Sequence, residues 1–182
     1  CGAPSGPSTG VCPFCKTAVV SAAGEGPRGG PRGGAAVKKA YEAGDLPLSL
    51  SLCASVAADD PKAMEDPDFL LTYARILIES EGPSSKIKSL LGRAYSLQPE
   101  NPAVSEYLEI VDAKSQLTPE KNDLGEKKLS EILRRSPNNV HALFLLGAHL
   151  FWVSREPGPS IRYLKRCVSL RPNFLRAWGC LG

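Results

Sequence analysis

The sequence predicts an all-α fold built from antiparallel helix pairs that repeat along the chain. Apolar residues at the offsets of one helix face recur 35 residues apart: Leu143, Leu146 and Gly147 are reproduced by Trp178, Leu181 and Gly182. Prolines at intervals of 35 to 38 residues separate the candidate units: Pro61, Pro99, Pro137 and Pro172. Each interval is long enough for two helices and their turns.

Both helices of each unit are marked by apolar residues at helical spacing. The first helices carry Val37, Ala40 and Tyr41; Leu70, Tyr73, Ala74 and Leu77; Val104, Tyr107, Leu108 and Val111; and Leu143, Leu146 and Leu150. The second helices carry Ser49, Cys53 and Val56; Ile87, Leu91 and Ala94; Leu129, Ile132 and Leu133; and Ile161, Leu164, Cys167 and Val168. We therefore expect about four units over residues 35–182, the last one truncated. The longer units are expected to carry extra residues in their inner turns, because loop entropy grows slowly with length.

The unit that begins at Val140 resembles the tetratricopeptide repeat. Its Leu146-Gly147 pair, the breaker cluster from Glu156 to Pro159 and the terminal Pro172 stand where that 34-residue repeat has Leu-Gly, a turn and Pro. Ser160, Leu164 and Cys167 replace the usual Ala, aromatic residue and Ala. The resemblance implies a right-handed superhelical array of helix pairs, in which Gly147 faces Ser160 across one pair.

In the tetratricopeptide-repeat family, the first helix of each unit lines a concave groove that binds peptides or extended segments of partner proteins. Carried over by position, the groove residues here are Leu71, Arg75, Ile78, Ser105, Glu109, Asp112, His141, Phe144, Ala148, Phe151, Trp152 and Arg176. The resemblance therefore implies a non-catalytic scaffold with a protein or peptide partner. For Phe151 and Trp152, packing against the next repeat is an equal alternative.

The first twenty residues contain a Cys12-Pro13-Phe14-Cys15 motif, and Cys1-Gly2 has the form of half a second such turn. This segment resembles the short zinc ribbons in which paired thiolates hold a structural zinc ion. Cys1, Cys12 and Cys15 would be three ligands, with the fourth missing from this chain. A thiol redox function through Cys12 and Cys15, or a tail with stray cysteines, are alternatives.

Residues 21–34 are rich in glycine, proline and arginine and are predicted to form a flexible linker. The doubled Pro-Arg-Gly-Gly resembles arginine-glycine segments that bind RNA. A second function hypothesis is therefore a nucleic-acid accessory protein, in which the ribbon and Arg28, Arg32, Lys38 and Lys39 contact phosphate.

Other features of the sequence bound the function. A net charge of +3 indicates no particular partner, and no apolar run reaches the ~20 residues of a membrane helix. Neither a catalytic constellation nor a small-molecule site is evident, and His141 and His149 are expected to be ordinary helical residues. Carboxylates such as Glu79 and Glu81 are expected to solvate helix ends.

The cysteines outside the motif indicate in which cellular compartment the protein is expected. Cys53, Cys167 and Cys180 lie at apolar repeat positions, as reduced core residues do in a reducing, cytoplasmic compartment. The chain begins with Cys1 rather than Met and breaks off within a unit, so we expect it to be a fragment.

Overall fold

A computed structural model describes residues 32–117, 122–153 and 156–182 of the protein, and nine α-helices follow one another in these ranges. They are α1 (Arg32–Glu42), α2 (Leu46–Asp59), α3 (Pro67–Glu79), α4 (Ser84–Leu97), α5 (Pro102–Ser115), α6 (Asn122–Arg135), α7 (Val140–Trp152), α8 (Pro157–Leu170) and α9 (Leu175–Leu181). A short 3-10 turn, Pro61–Glu65, separates α2 from α3. No strand occurs in the described ranges, and the predicted all-α class is confirmed there.

Consecutive helices pack as antiparallel pairs, α1 with α2 through α7 with α8. The α7–α8 pair shows the direction clearly. Cys167 near the end of α8 donates from Sγ to the Val140 carbonyl at the start of α7, and Ser160 near the start of α8 donates from Oγ to the Gly147 carbonyl at 2.8 Å. A Cβ atom on Gly147 would lie 2.9 Å from Leu164 Cγ, so this close approach needs glycine. The predicted contact between Gly147 and Ser160 is confirmed.

The four prolines end the units as predicted. The second helices α2, α4, α6 and α8 each end two residues before their closing proline. A residue before proline is sterically disfavoured in the α region. Accordingly, Asp60, Gln98 and Arg171 leave their helices with φ of −127°, −140° and −140°. The new unit then starts at a side-chain cap, as Asn139 shows by accepting from the His141 and Ala142 amides.

Two boundaries differ from the sequence prediction. The unit between Pro61 and Pro99 has an inner turn of ordinary length, and its extra residues form the 3-10 turn before α3 instead. Helix α1 begins at Arg32, inside the predicted linker. It runs close to α2 there, since a Cβ atom on Gly33 would lie 2.7 Å from Val56 Cγ2. The rest of the predicted linker and the cysteine-rich segment 1–20 lie outside the described residues.

The core runs through the whole array as one continuous apolar cluster. The predicted first-helix and second-helix stripes all lie on helices, and most of their members are buried. Among the described helices, none combines the length and the hydropathy that crossing a membrane requires. The first helices α1, α3, α5 and α7 also meet one another, and their meeting point is the site described next.

Candidate functional site

Five polar or charged residues from distant parts of the chain meet inside the array. We call them the inner cluster: Tyr41 of α1, Glu79 of α3, Tyr107 of α5, His141 of α7 and Arg171, which follows α8. Glu79 and His141 expose only 1% and 2% of their surface. In an open array of repeats each unit contacts its neighbours alone. Here the first unit reaches the end of the fourth, 130 residues away.

Arg171 links the ends of the array through its guanidinium group. Nη1 donates to Glu79 Oε2 and to the Tyr41 hydroxyl, both at 2.6 Å, and Nη2 donates to the Tyr41 carbonyl at 3.1 Å. The guanidinium carbon also lies 4.0 Å from the centre of the Tyr41 ring. A planar group with five donors suits this fork of acceptors, which a lysine could not satisfy.

His141 continues the network between two tyrosines. Its Nδ1 lies 2.8 Å from the Tyr107 hydroxyl, and its Nε2 lies 3.2 Å from the Tyr41 hydroxyl. The Tyr41 hydroxyl has one proton, which it donates to Glu79 Oε2 at 3.1 Å. The contact with Tyr41 therefore requires a proton on His141 Nε2, and in the neutral ring Nδ1 then accepts from Tyr107.

Burial controls the protonation of the inner cluster. It lowers the pKa of His141 to about 3, with Arg171 and Arg75 adding to the shift, which agrees with the neutral tautomer. Burial also raises the pKa of Glu79, and the charge of Arg171 opposes that rise. Glu79 Oε1 and Arg75 Nε are buried with no hydrogen-bond partner. The inner cluster is therefore polar but incompletely satisfied.

The residues after α8 fill the space between the first helices. We call Arg171–Arg176 the closing segment. Arg171 donates to the Tyr41 carbonyl, Asn173 to the Glu42 carbonyl at 2.8 Å, and Arg176 to the Glu79 carbonyl at 3.2 Å. These carbonyls belong to the last turns of α1 and α3, which lack partners within the helix and carry the negative end of its dipole. The closing segment thus caps two helix C termini with donors.

Aromatic packing seals the same segment. Phe174 is fully buried, with its ring centroid 5.0 Å from that of Phe144 and 5.8 Å from that of His141. Arg176 lies 4.8 Å above the Phe144 ring and forms an ion pair with Glu81. The inner face is therefore occupied by the chain itself.

The structure divides the twelve predicted partner residues into three groups. The buried group is Leu71, Ile78, His141 and Phe144, and the partly exposed group is Arg75, Ser105, Asp112, Ala148, Phe151 and Arg176. Glu109 and Trp152 are exposed. Arg75 stacks 4.7 Å above the Tyr107 ring, so it joins the inner cluster to the surface. The closing segment brings Arg176, His141 and Phe144 together.

The accessible members lie on two parts of the surface. On α5, Glu109 pairs with Arg135 and Asp112 pairs with Lys128, both from α6. At the end of α7, Trp152 exposes 67% of its surface, and its ring packs edge-on against Phe151. The Trp152 side chain is therefore available for contact rather than packed into a neighbouring repeat.

Sequence reasoning missed the role of three inner-cluster residues. The sequence pattern predicts only that Tyr41 and Tyr107 lie on the apolar faces of their helices. It predicts nothing for Arg171 beyond its position before Pro172. The expectation that Glu79 solvates a helix end is wrong, because Arg171 and Tyr41 draw its carboxylate inside. The contact between Arg171 and Glu79 spans 92 residues of sequence, and the contact between Tyr41 and Glu79 spans 38. No local pattern encodes such separations.

Metal and nucleic-acid predictions fall mostly outside the described ranges. Cys1, Cys12 and Cys15 lie outside the described residues, so the zinc site and the thiol redox function stay predictions. Within the described part of the chain, no three His, Cys, Asp or Glu side chains are grouped to hold a metal ion. Lys38 and Lys39 are exposed on α1, while Arg28 and the side chain of Arg32 are not described.

Comparison with protein-family models finds no match for the chain, and a search of curated proteins finds no significant relative. Function is therefore inferred from the geometry.

Proposed function

We propose that the protein is a non-catalytic interaction scaffold, a tetratricopeptide-like array of helix pairs that binds a protein or peptide partner through its exposed surface. The observation that supports this most directly is Trp152, a predicted partner residue that leaves 67% of its surface in solvent. Tryptophan is one of the residue types enriched among the anchors of protein interfaces. Val153 beside it exposes 42% of its surface, and contiguous exposed apolar surface is typical of docking sites.

The filled inner face supports an outer position for this contact. Leu71, Ile78 and Phe144 are buried under other parts of the chain, so a partner of the closed array meets the outer end of α7 instead. Trp152 and the partly exposed Phe151 supply its apolar contact, and the α5 residues Glu109 and Asp112 supply polar contacts elsewhere. The partner is expected to be a polypeptide segment with an apolar anchor.

A pull-down with matched variants tests the proposal. The full chain, Trp152→Ala and the control Tyr95→Ala would be used as baits, with bound proteins identified by mass spectrometry. Tyr95 is a suitable control because it lies on α4 outside the predicted partner residues and is 44% exposed. The proposal predicts a partner retained by the control and lost by Trp152→Ala, with equal thermal stability of the three baits. Identical partners on all three baits contradict it.

A further inference from the structure

We infer that the closing segment Arg171–Arg176 is an autoinhibitory latch, which holds the array shut and opens as one unit with the C termini of α1 and α3. The first reason is the kind of contact at this joint. Neighbouring helices are joined mainly by apolar side chains. Between α7 and α8, for example, the buried core includes Leu143, Leu146 and Leu164. The joint between the ends of the array adds hydrogen bonds and ion pairs of arginine, asparagine and carboxylate groups to the contact of the buried Phe174 ring.

The second reason is that the closed joint is imperfect. Glu79 Oε1 and Arg75 Nε have no hydrogen-bond partner, although both atoms are buried. Water would satisfy both atoms once the joint opens, so hydration favours the open form. An interface of leucines gains nothing comparable from water, because exposing apolar surface is unfavourable. Opening the joint therefore combines the exposure of Phe174, which is unfavourable, with the hydration of these two polar atoms, which is favourable.

The third reason is the backbone of the two capped helix ends. Gly44 follows α1 with φ of +83°, and Glu81 follows α3 with φ of +57°, where a side chain is disfavoured. Each of these left-handed residues faces the closing segment. A Cβ atom on Gly44 would lie 2.7 Å from Asn173 Cβ, and Glu81 pairs with Arg176. One segment thus holds two separate helix ends in place.

Opening has a defined consequence. Release of Phe174 uncovers Phe144 and His141, which are two of the predicted partner residues. The closing segment therefore controls access to the inner face. This control of partner access rests on the proposed function, whereas the opening itself does not.

Hydrogen exchange measured by mass spectrometry tests the latch on the full chain. Arg171→Ala removes the bonds that Arg171 donates to Tyr41 and Glu79. Arg166→Ala is the control, because the Arg166 side chain donates to the exposed Asn138, outside the inner cluster. The latch predicts that Arg171→Ala speeds exchange by about 100-fold or more in three places together: the end of α1, the end of α3 and the closing segment. Amides of α7 facing α8 should remain better protected than these three places in both chains, and the control should match the wild type.

Two results would overturn the latch. Faster exchange confined to residues near Arg171 would mean that the segment frays alone, and equal protection of these three places and the α7 amides would mean that no separate joint exists. Asn173→Ala provides a milder second variant if Arg171→Ala fails to fold, since it removes the bond to the Glu42 carbonyl and the bond that Asn173 Oδ1 accepts from Arg171 Nε, and leaves the contacts of Arg171 with Tyr41 and Glu79. The same three places should respond, by a smaller factor. No partner is needed, so failure here and failure of the Trp152 pull-down are separate results.

Discussion

Arg171 Nη1 lies 2.6 Å from Glu79 Oε2, in an ion pair whose members expose 14% and 1% of their side chains. This pair joins the second helix pair of the array to the end of the fourth. Around it, Tyr41, Tyr107 and His141 complete a polar network to which the first helix of every pair contributes. A string of helix pairs thereby becomes a closed arrangement with a polar interior.

The Tyr41 hydroxyl is the node of this network. It contacts Arg171, Glu79 and His141, so Tyr41→Phe leaves three buried polar groups short of a partner. We expect the free energy of unfolding to fall by about 1–3 kcal/mol. Urea titration followed by circular dichroism measures the change. Tyr95→Phe, on exposed α4 surface, should leave the midpoint unchanged, and an equal effect of the two variants contradicts the role of Tyr41.

His141 should make stability depend on pH. Its pKa is about 3 in the folded protein and about 6.5 in the unfolded chain, so between these values only the unfolded chain binds the proton. Stability contributed by neutral His141 is therefore present above pH 6.5 and is lost as pH falls toward 3. The raised pKa of Glu79 acts in the opposite sense. The stability that Glu79 contributes in its protonated form is present below its ordinary pKa of 4.5 and is lost as pH rises above that value.

The His141→Gln variant separates these two effects, because Glu79 is common to both chains. The advantage of the wild type in free energy of unfolding should shrink between pH 7 and pH 5. Urea titrations at several pH values measure it. An advantage that stays constant over this range would show that His141 gains a proton in the folded state as easily as in the unfolded chain.

Two glycines at helix interiors should respond oppositely to alanine. A Cβ atom on Gly147 would lie 2.9 Å from Leu164 Cγ, whereas one on Gly92 meets no atom within 4 Å. Gly147→Ala should destabilise the protein by about 1 kcal/mol, because overpacking exceeds the gain in helix propensity. Gly92→Ala should stabilise it by about 0.5–1 kcal/mol. Thermal unfolding compares the two, and a stabilising Gly147→Ala would place α8 farther from α7 than described.

The cysteines of the array should differ in reactivity. Burial raises the pKa of both Cys53 and Cys167 to about 12, and the thiolate is the reactive form. In a chain with Cys1, Cys12 and Cys15 replaced by serine, a disulfide reagent at pH 8 should modify only the partly exposed Cys180. Cys53 and Cys167 should react after unfolding in urea. Rapid modification of either in the native protein would show that its helix pair opens readily.

Local patterns in the sequence predict much of this structure, but they do not predict the contact between the two ends of the array. The helices follow from apolar spacing and from prolines that end them, both of which act over a few residues. The contact between Gly147 and Ser160 also follows from the unit, because it lies within one helix pair. The meeting of Tyr41 with Arg171 depends on the curvature accumulated over four pairs, which small rotations between units determine. Apolar periodicity does not encode those rotations.

A double-mutant cycle on Glu79 and Arg171 tests the closed array most directly. The free energy of unfolding would be measured for the wild type, Glu79→Gln, Arg171→Gln and the double variant. Removing one member of a buried ion pair leaves the other uncompensated, so each single variant should lose about 3–5 kcal/mol, and the double variant should lose much less than their sum. Coupling of at least about 1.5 kcal/mol is predicted. Additive losses, within about 0.5 kcal/mol, would contradict the closure.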